Sequence, residues 1–377
     1  MKRKPVSNQL LLLSEDEPSG RAWRRLGVTR NPFFAHDVDT PEVLYQEHLD
    51  PNDLRLMKAW LFSVTRKDES SKPLAIKGTI GAGKTHWLRA FEHDARQTLG
   101  RSGLVTSHVL TGHGMKNLSL GALLWGGLAS SELPKRTFRA IRDFADRLDL
   151  PPTSPLHSIL PRMAKDYELV DLAVQWLSRA PLSKAEHRAL GVAGVMDSEG
   201  PWVRALAHVA KLAKQVGSFR RWVVLIDQLE DLWRPHVTTP LRRARFLTEL
   251  RTLVDEALAG APIAIALAWN TSVESGLEDI SDQLTRDYAA LFSRLEGQRA
   301  IDIPPLAPEH LDAFAYQYVN AAAVASHSPR LEELLRRDLG QLKRGVAPQG
   351  MTAREWLTRL ADWANEIVEG GASLRRE

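Results

Sequence analysis

One segment, GTIGAGKT from Gly78 to Thr85, constrains the fold of this chain more than any other part of its 377 residues. It follows the apolar run PLAIKG and precedes KTHWLRAF, which has helical character. The segment fits G-x-x-x-x-G-K-[ST] at every fixed position. Glycines let backbone N–H groups wrap around phosphates, and the N-terminus of the following helix adds its dipole. We therefore predict a strand, a phosphate-binding loop and a helix in succession.

The chemistry of this loop assigns roles to its residues. Lys84 is expected to reach the β- and γ-phosphates, and the Thr85 hydroxyl is expected to be a ligand of Mg²⁺. The predicted cofactors are ATP and Mg²⁺. The nucleotide-binding residues are predicted to be Gly78, Thr79, Ile80, Gly81, Ala82, Gly83, Lys84, Thr85 and His86.

The rest of the chain predicts an α/β fold around a parallel sheet. Apolar runs that read as strands occur at 73–78, 103–112, 221–233 and 261–270, and the helical stretches 84–99 and 240–259 lie between them. Strands apolar on both faces, connected through helices, are typical of parallel sheets covered on both sides. The predicted fold is a P-loop NTPase core with a large helical insertion and a C-terminal, all-helical lid.

Spacing along the chain predicts the domain organisation. From Lys84 to Asp227 there are 227 − 84 = 143 residues, far more than two strands and their helices require, so about 100 residues of helical insertion are expected. We predict a tail at 1–20, an N-terminal helical segment at 21–73, the core at 74–300 with its insertion at about 114–218, and the helical lid at 301–377.

A second acidic motif, VVLIDQLED, ends the third predicted strand. Asp227 follows four apolar residues, as expected of a carboxylate that holds Mg²⁺ beside the phosphate loop. The next residue is Gln228, which cannot act as a base, whereas Glu230 and Asp231 follow three and four positions after Asp227. Glu230 is favoured as the group that orients or deprotonates the attacking water, and Asp231 stays the alternative.

Composition excludes several other kinds of site. The chain has no cysteine, which excludes disulfides, thiolate metal sites and cysteine nucleophiles, and its twelve histidines do not fall into a metal-ligand spacing. No apolar run is long enough to cross a membrane, so no membrane partner and a cytoplasmic location are expected. The net charge of +4 does not demand a nucleic-acid surface, although clusters at 135–142 and 242–245 could build one for DNA.

The two motifs together resemble those of AAA+ ATPases, in the branch near the Orc/Cdc6 replication initiators and the STAND signalling ATPases. VVLIDQLEDLW is similar to the STAND motif, in which an acidic pair also lies three and four residues past the Mg²⁺ aspartate, and this favours Glu230 over Gln228. RNPFF, before the first strand, resembles the segment that borders the adenine pocket in initiator-type ATPases.

The same resemblance implies three further site residues. Asn270, at the end of IAIALAWN, matches the sensor 1 position, which touches the γ-phosphate or the attacking water. Arg294 is the candidate arginine finger, which would reach the γ-phosphate of a neighbouring subunit, with Arg286 and Arg299 as competitors. Arg354, in GMTAREWL, is the candidate sensor 2 residue acting within its own chain.

A looser resemblance links the segment 167–192, together with GKTHWLRAF, to ATPases of bacterial anti-phage systems of the BREX type. These resemblances imply an ATPase that forms a homo-oligomeric ring or filament and acts on DNA or on a partner protein of the same system. A nucleotide-locked switch with little hydrolysis is the alternative, favoured by Gln228. A metabolic P-loop kinase is disfavoured, because nothing suggests a small-molecule pocket beside the sensor-like Asn270.

Overall fold

The computed structural model describes residues 23–24, 26–28, 31–33, 44–66, 71–100, 103–111, 119–144, 148, 150–194, 196, 199–234, 236–271, 282, 286, 288–295, 300–322 and 329–373. The predicted tail at 1–20 lies outside these residues. The described chain divides into two compact units. A larger unit comprises residues 49–80 and 84–303, and a smaller one comprises residues 1–48, 81–83 and 304–377.

Helices and strands alternate in the larger unit, as the sequence predicted. Its strands are β1 Leu74–Gly78, β2 Leu104–Leu110, β3 Arg221–Asp227, β4 Ile263–Asn270 and β5 Ile301–Ile303. Its helices are α1 Pro51–Thr65, α2 Lys84–Leu99, α3 Leu120–Ser130, α4 Leu133–Phe144, α5 Leu160–Met163, α6 Leu169–Leu177, α7 Lys184–Leu190, α8 Glu199–Gln215, α9 Pro240–Leu258 and α10 Ala289–Leu295. The smaller unit contains α11 Leu311–Ala322, α12 Pro329–Leu342 and α13 Ala353–Ser373.

The five strands form one parallel sheet in the order β2-β3-β4-β1-β5. β4 therefore lies between the strand that enters the phosphate loop and the strand that ends at Asp227. The register pairs Gly78 with Asn270 and Leu110 with Asp227, so the polar ends of the strands meet at the carboxyl edge of the sheet. The sheet, its covering helices and the phosphate loop confirm the predicted P-loop NTPase fold.

Helices that flank the sheet are positioned by apolar faces and by one buried arginine. In α2 the apolar side chains recur at three- and four-residue spacing and are buried. Arg221, at the start of β3 and only 2% exposed, donates to the carbonyl oxygens of Val64, Ser63 and Arg66 at 3.1, 3.2 and 2.6 Å. These contacts satisfy carbonyls at the C-terminal end of α1, which has no basic residue of its own there.

The helical insertion runs from α3 to α8 and shares one hydrophobic core with the sheet. The helix α3 approaches β2 closely because it carries glycine at the contact: a Cβ at Gly127 would lie 2.0 Å from the hydroxyl of Ser107. A Cβ at Gly121 would lie 2.6 Å from the ring of Trp202, on α8. The insertion therefore packs on the core as part of the same unit.

The smaller unit has its own core, built around α11 and α13. Within it, the side-chain amide of Asn31 donates to the carbonyl of Ala361 and to Asn365 at 3.0 Å each, and Phe33 is fully buried. Asn31 of the RNPFF segment thus contacts the final helix, and Phe33 lies 6.3 Å from Trp363 of that helix, ring centroid to ring centroid. The predicted segment 21–73 is divided between the units at 48/49. No helix among the described residues has the length and apolarity to cross a membrane.

Candidate functional site

The phosphate loop follows the carboxyl end of β1 and leads into α2. Gly81 and Gly83 have φ values of +81° and +100°, a left-handed region that other residues enter at a cost. Ile80 is exposed, whereas Ala82 is buried. His86 lies in the first turn of α2 and is partly buried. The glycines at these positions give the loop the backbone conformation expected of a phosphate cradle.

Lys84 is buried at the first position of α2, with 7% of its surface exposed. Its ammonium group donates to the carbonyl oxygens of Gly78 and Thr79 at 2.9 and 2.7 Å. Both acceptors belong to the loop itself, so the charge is held where the phosphates of a nucleotide are expected. A buried ammonium is costly without acceptors, and these carbonyls provide them.

Thr85 and Asp227 come together although they are 142 positions apart in the sequence: the Thr85 hydroxyl donates to Oδ2 of Asp227 at 2.5 Å. The other carboxylate oxygen of Asp227 accepts the backbone N–H of Gln228 at 2.8 Å. Hydroxyl and carboxylate oxygens are the donors that Mg²⁺ prefers, usually with phosphate and water completing its shell. The pair fits a nucleotide-bound Mg²⁺. Among the described residues, no cluster of three His, Cys, Asp or Glu could hold a metal by itself.

The backbone turns sharply after Asp227. Gln228 has φ 59° and ψ 38°, and its side chain is exposed. The hydroxyl of Thr111, which is fully buried at the end of β2, donates to the carbonyl oxygen of Gln228. A 3₁₀ turn, Leu229–Trp233, follows and brings Glu230 into the interior. The turn therefore leaves the side chain of Gln228 exposed and buries that of Glu230.

Glu230 contacts Asn270 through both carboxylate oxygens. The backbone N–H of Asn270 donates to Oε2 at 3.1 Å, and its side-chain amide donates to Oε1. Burial raises the pKa of Glu230 above its usual value, and hydrogen bonds from backbone N–H groups, including that of Asn270, oppose this more weakly. A carboxylate with a raised pKa is a better proton acceptor near neutral pH.

Asp231 is as buried as Glu230 but has a different partner. Its Oδ1 lies 3.1 Å from the guanidinium of Arg234. Asp231 thus has a cationic partner, whereas Glu230 has a backbone and side-chain amide as its partners. Glu230 stays the predicted base, and Asp231 stays the alternative.

Arg294 lies at the opposite end of the sheet from these residues. It is on α10 and forms an ion pair through Nε with Oδ1 of Asp255, in the last turn of α9. The chain passes from that turn into the first residue of β4, whereas Asn270 ends β4. An eight-residue strand spans ~26 Å. Arg294 is thus not brought together with Lys84 and Glu230 of its own chain.

The two competitors of Arg294 give no stronger case. Arg286 is exposed, and Arg299 lies outside the described residues. The finger assignment therefore stays a prediction.

In the smaller unit, Arg354 lies in the first turn of α13, next to a loop glycine. Its backbone N–H donates to the carbonyl of Gly81 at 3.1 Å, and its side chain is exposed. The helix is capped by Thr352, whose hydroxyl accepts the N–H of Glu355 at 3.2 Å. A Cβ at Gly81 would lie 3.0 Å from that of Arg354, so glycine is needed here for close approach.

Sequence reasoning missed two residues that contact parts of the predicted site machinery. Thr111 supports the turn after Asp227, and Asp255 binds Arg294. Thr111 follows the last residue of an apolar strand, which is a signal for a carboxyl-edge residue, but its target, a backbone carbonyl, carries no sequence signature. Asp255 is one of many acidic helix residues, and only its contact distinguishes it.

Comparisons with known proteins agree with part of the sequence interpretation. A family model described as BREX system ATP-binding protein BrxC/D matches residues 159–302. This range includes the segment 167–192 and both Asp227 and Asn270, so the resemblance to BREX ATPases is confirmed there. A search of curated protein sequences finds no match.

Among solved structures, the chain is similar to the Aeropyrum pernix ORC2 protein, solved as ADPNP–ADP complexes. The identity is 12%, the TM-score is 0.47, and the match covers 88% of this chain and 67% of that one. It is also similar to domain III of the Thermotoga maritima replication initiation protein DnaA, with 13% identity, a TM-score of 0.33, and coverage of 87% and 97%. The fold assignment rests on the strand order and the two motifs rather than on these remote likenesses.

Proposed function

We propose that this chain is an ATP-binding and ATP-hydrolysing AAA+-like protein that acts in the cytoplasm and assembles with nucleotide. The observation that carries the proposal is the meeting of Lys84, Thr85, Asp227, Glu230 and Asn270 at one edge of the sheet, through the contacts described above. A buried cation, two Mg²⁺-type oxygen donors and a carboxylate of raised pKa are the parts that phosphoryl transfer to water requires.

In this mechanism, the loop N–H groups and Lys84 would hold the phosphates. Thr85 and Asp227 would hold a Mg²⁺ ion, which would neutralise negative charge on the nucleotide when bound. Glu230 accepts a proton from the attacking water, which adds to the γ-phosphorus as the bond to the β-γ bridging oxygen breaks. The products are ADP and inorganic phosphate. Asn270 fixes the orientation of Glu230 through two donated hydrogen bonds.

The proposed site is completed by a second copy. An arginine that neutralises transition-state charge accelerates phosphoryl transfer by about 10³–10⁵. Arg294, at the amino edge of the sheet, is suited to serve a neighbouring site rather than its own, and Arg354 is proposed to act within its own chain. ATP would then hold copies together in a ring or filament, and hydrolysis would release or remodel a partner protein of a BREX-type system, or DNA.

A second function is favoured by one specific observation. Asn270 engages both oxygens of Glu230, a contact that could hold the base away from water. In that case the chain would be an ATP-locked switch that hydrolyses nucleotide slowly and changes state on exchange. The two functions share ATP binding and differ in turnover.

The experiment compares Glu230→Gln with Gln228→Glu. We expect Glu230→Gln to lower the turnover number by about 10²–10⁴ while the Kd for ATP stays within a few-fold, because only the base is removed. Gln228→Glu places a carboxylate at an exposed position and should leave turnover unchanged. Full turnover in Glu230→Gln would refute the base assignment. A wild-type chain that binds ATP but releases phosphate no faster than a protein-free control would identify the switch.

A further inference from the structure

Asp255 is an acidic residue with two arginine partners at the amino edge of the sheet. Its Oδ1 accepts from Nε of Arg294, and its Oδ2 lies 3.7 Å from Nε of Arg251, one helical turn earlier. The side chains of Asp255 and Arg294 are 42% and 31% exposed, so the pair lies at the surface of the larger unit. Exposed ion pairs of this kind contribute little to stability. Stability alone therefore gives little reason for the contact.

Glu256, the residue after Asp255, anchors the C-terminal end of α9. Glu256 accepts from Arg204, His208 and Lys211 of α8 at 3.2, 3.1 and 3.1 Å. His208 is buried and its other ring nitrogen lies 2.7 Å from the hydroxyl of Ser154. Three contacts to the insertion thus fix the turn that carries Asp255. A carboxylate on a fixed turn can orient a flexible partner, whereas one on a mobile turn cannot.

The contact to Asp255 is made by Nε of the Arg294 guanidinium. A carboxylate at Nε sets the plane of the group and the direction of its terminal amino groups. Arginine side chains carry about 2 kcal/mol of rotamer entropy, which a preset orientation reduces before a phosphate is met.

We propose that Asp255 is a positioning residue for Arg294, which presents the guanidinium to the nucleotide of a second copy of this chain. This inference rests on the proposed function, since it requires Arg294 to act in trans. Asp255 touches neither nucleotide nor metal. Its effect passes entirely through Arg294.

The test uses full-length chains mixed in pairs. Lys84→Ala chains have a disabled loop but keep Arg294, and Arg294→Ala chains keep the loop but lack the finger. Mixing them should restore ATP turnover at interfaces where the first chain supplies the arginine. Asp255→Ala is then added to one partner at a time, and phosphate release is measured at several mixing ratios.

The expected effect of Asp255→Ala depends on which of the two mixed chains carries it. In the Lys84→Ala partner, Asp255→Ala should lower the restored turnover by about 10-fold, because the donated arginine loses its orientation. In the Arg294→Ala partner, the same change should have no effect. Asp255→Glu in the first partner should recover most of the loss. Glu332→Ala, which removes an exposed pair with Arg336 in the smaller unit, is the matched control and should change nothing.

The outcomes separate the two proposals. No restoration at any ratio of the parent chains would contradict action of Arg294 in trans and so the proposed function. Restoration that survives Asp255→Ala in the arginine-donating chain would overturn the role of Asp255 alone. Equal losses from both partners would show a structural effect on folding and would also overturn it, with thermal unfolding of each variant as the check.

Discussion

The polar residues at the two ends of the parallel sheet differ in how deeply they are buried. At the carboxyl edge, Lys84, Asp227 and Glu230 are between 5% and 7% exposed. They form hydrogen bonds with Gly78, Thr85 and Asn270, respectively. At the amino edge, Arg294 and Asp255 form a half-exposed ion pair. The side chains at the carboxyl edge are held in place by contacts within their own chain. The Arg294 side chain at the amino edge is exposed enough for a second chain to contact it. This difference in exposure agrees with the proposal of a site divided between copies.

The largest expected effect is at the buried edge. Lys84→Ala should weaken ATP binding by about 100-fold or more, since a charge-assisted hydrogen bond to phosphate in a buried site contributes about 3 kcal/mol. Isothermal titration with ATP and Mg²⁺ measures it. Lys58→Ala, at an exposed position of α1, is the control and should bind normally. Unchanged affinity in Lys84→Ala would place the nucleotide elsewhere.

Asn270→Ala should have the next largest effect, on turnover rather than binding. Loss of the side-chain amide removes one of the two donors that hold Glu230, and about 10- to 100-fold slower turnover is expected from a misplaced base. Asn320→Ala, at an exposed position of α11, should behave as wild type. Faster turnover in Asn270→Ala would instead show that Asn270 restrains Glu230, as the switch function requires.

At the amino edge, Glu256→Gln should lower the free energy of unfolding by about 2–3 kcal/mol, because a carboxylate shared by three cationic or polar partners is lost. Burial by itself raises the pKa of Glu256, but hydrogen bonds and charge from His208 and Lys211 outweigh this and lower the pKa to about 2. A lowered pKa stabilises the fold at pH values above 4.5, and this contribution is lost as the pH falls towards 2.

Denaturant unfolding at several pH values tests this linkage. The wild-type chain should lose stability more steeply than Glu256→Gln between pH 4.5 and pH 2. Glu92, whose pKa is also lowered to about 2 by bonds from His108, Thr106 and Arg96 against the opposing effect of burial, should remain as a background slope in both. Parallel curves would contradict the role of Glu256.

The smallest expected effect concerns the turn that separates Gln228 from Glu230. Thr111→Val removes the hydroxyl that donates to the Gln228 carbonyl and should cost about 1 kcal/mol. Thr111→Ser keeps the hydroxyl and should restore the stability, as measured by denaturant unfolding. Equal behaviour of the two variants would show that the hydrogen bond does not support the turn.

The two edges also differ in how far sequence could predict them. Short sequence motifs predict the residues of the carboxyl edge, because a phosphate loop and an acidic strand end need particular residues at fixed spacing. Lys84, Thr85 and Asp227 were predicted in this way. Glu230 was favoured as the base by its spacing from Asp227 and by the STAND resemblance, and that assignment stays a prediction. The left-handed backbone at Gln228 and the support from Thr111 were not predictable, since neither position carries a residue type specific for that role.

The amino edge depends on contacts between distant helices. Asp255 and Arg294 are 39 positions apart, and Glu256 joins α9 to α8 across 45 to 52 positions. Such pairs follow from the packing of helices that are distant in the sequence, and no local sequence pattern predicts them. Trp176 and Trp356 lie in helical stretches beside other apolar residues, and both are buried, because apolar periodicity is a local signal.

The most direct test of a divided site is the dependence of ATP turnover per chain on chain concentration. If Arg294 of one copy completes the site of another, turnover per chain should rise with concentration to a plateau, and Arg294→Ala should stay at the low-concentration value throughout. Turnover per chain that is constant over a wide dilution range, with Arg294→Ala equal to wild type, would contradict the account.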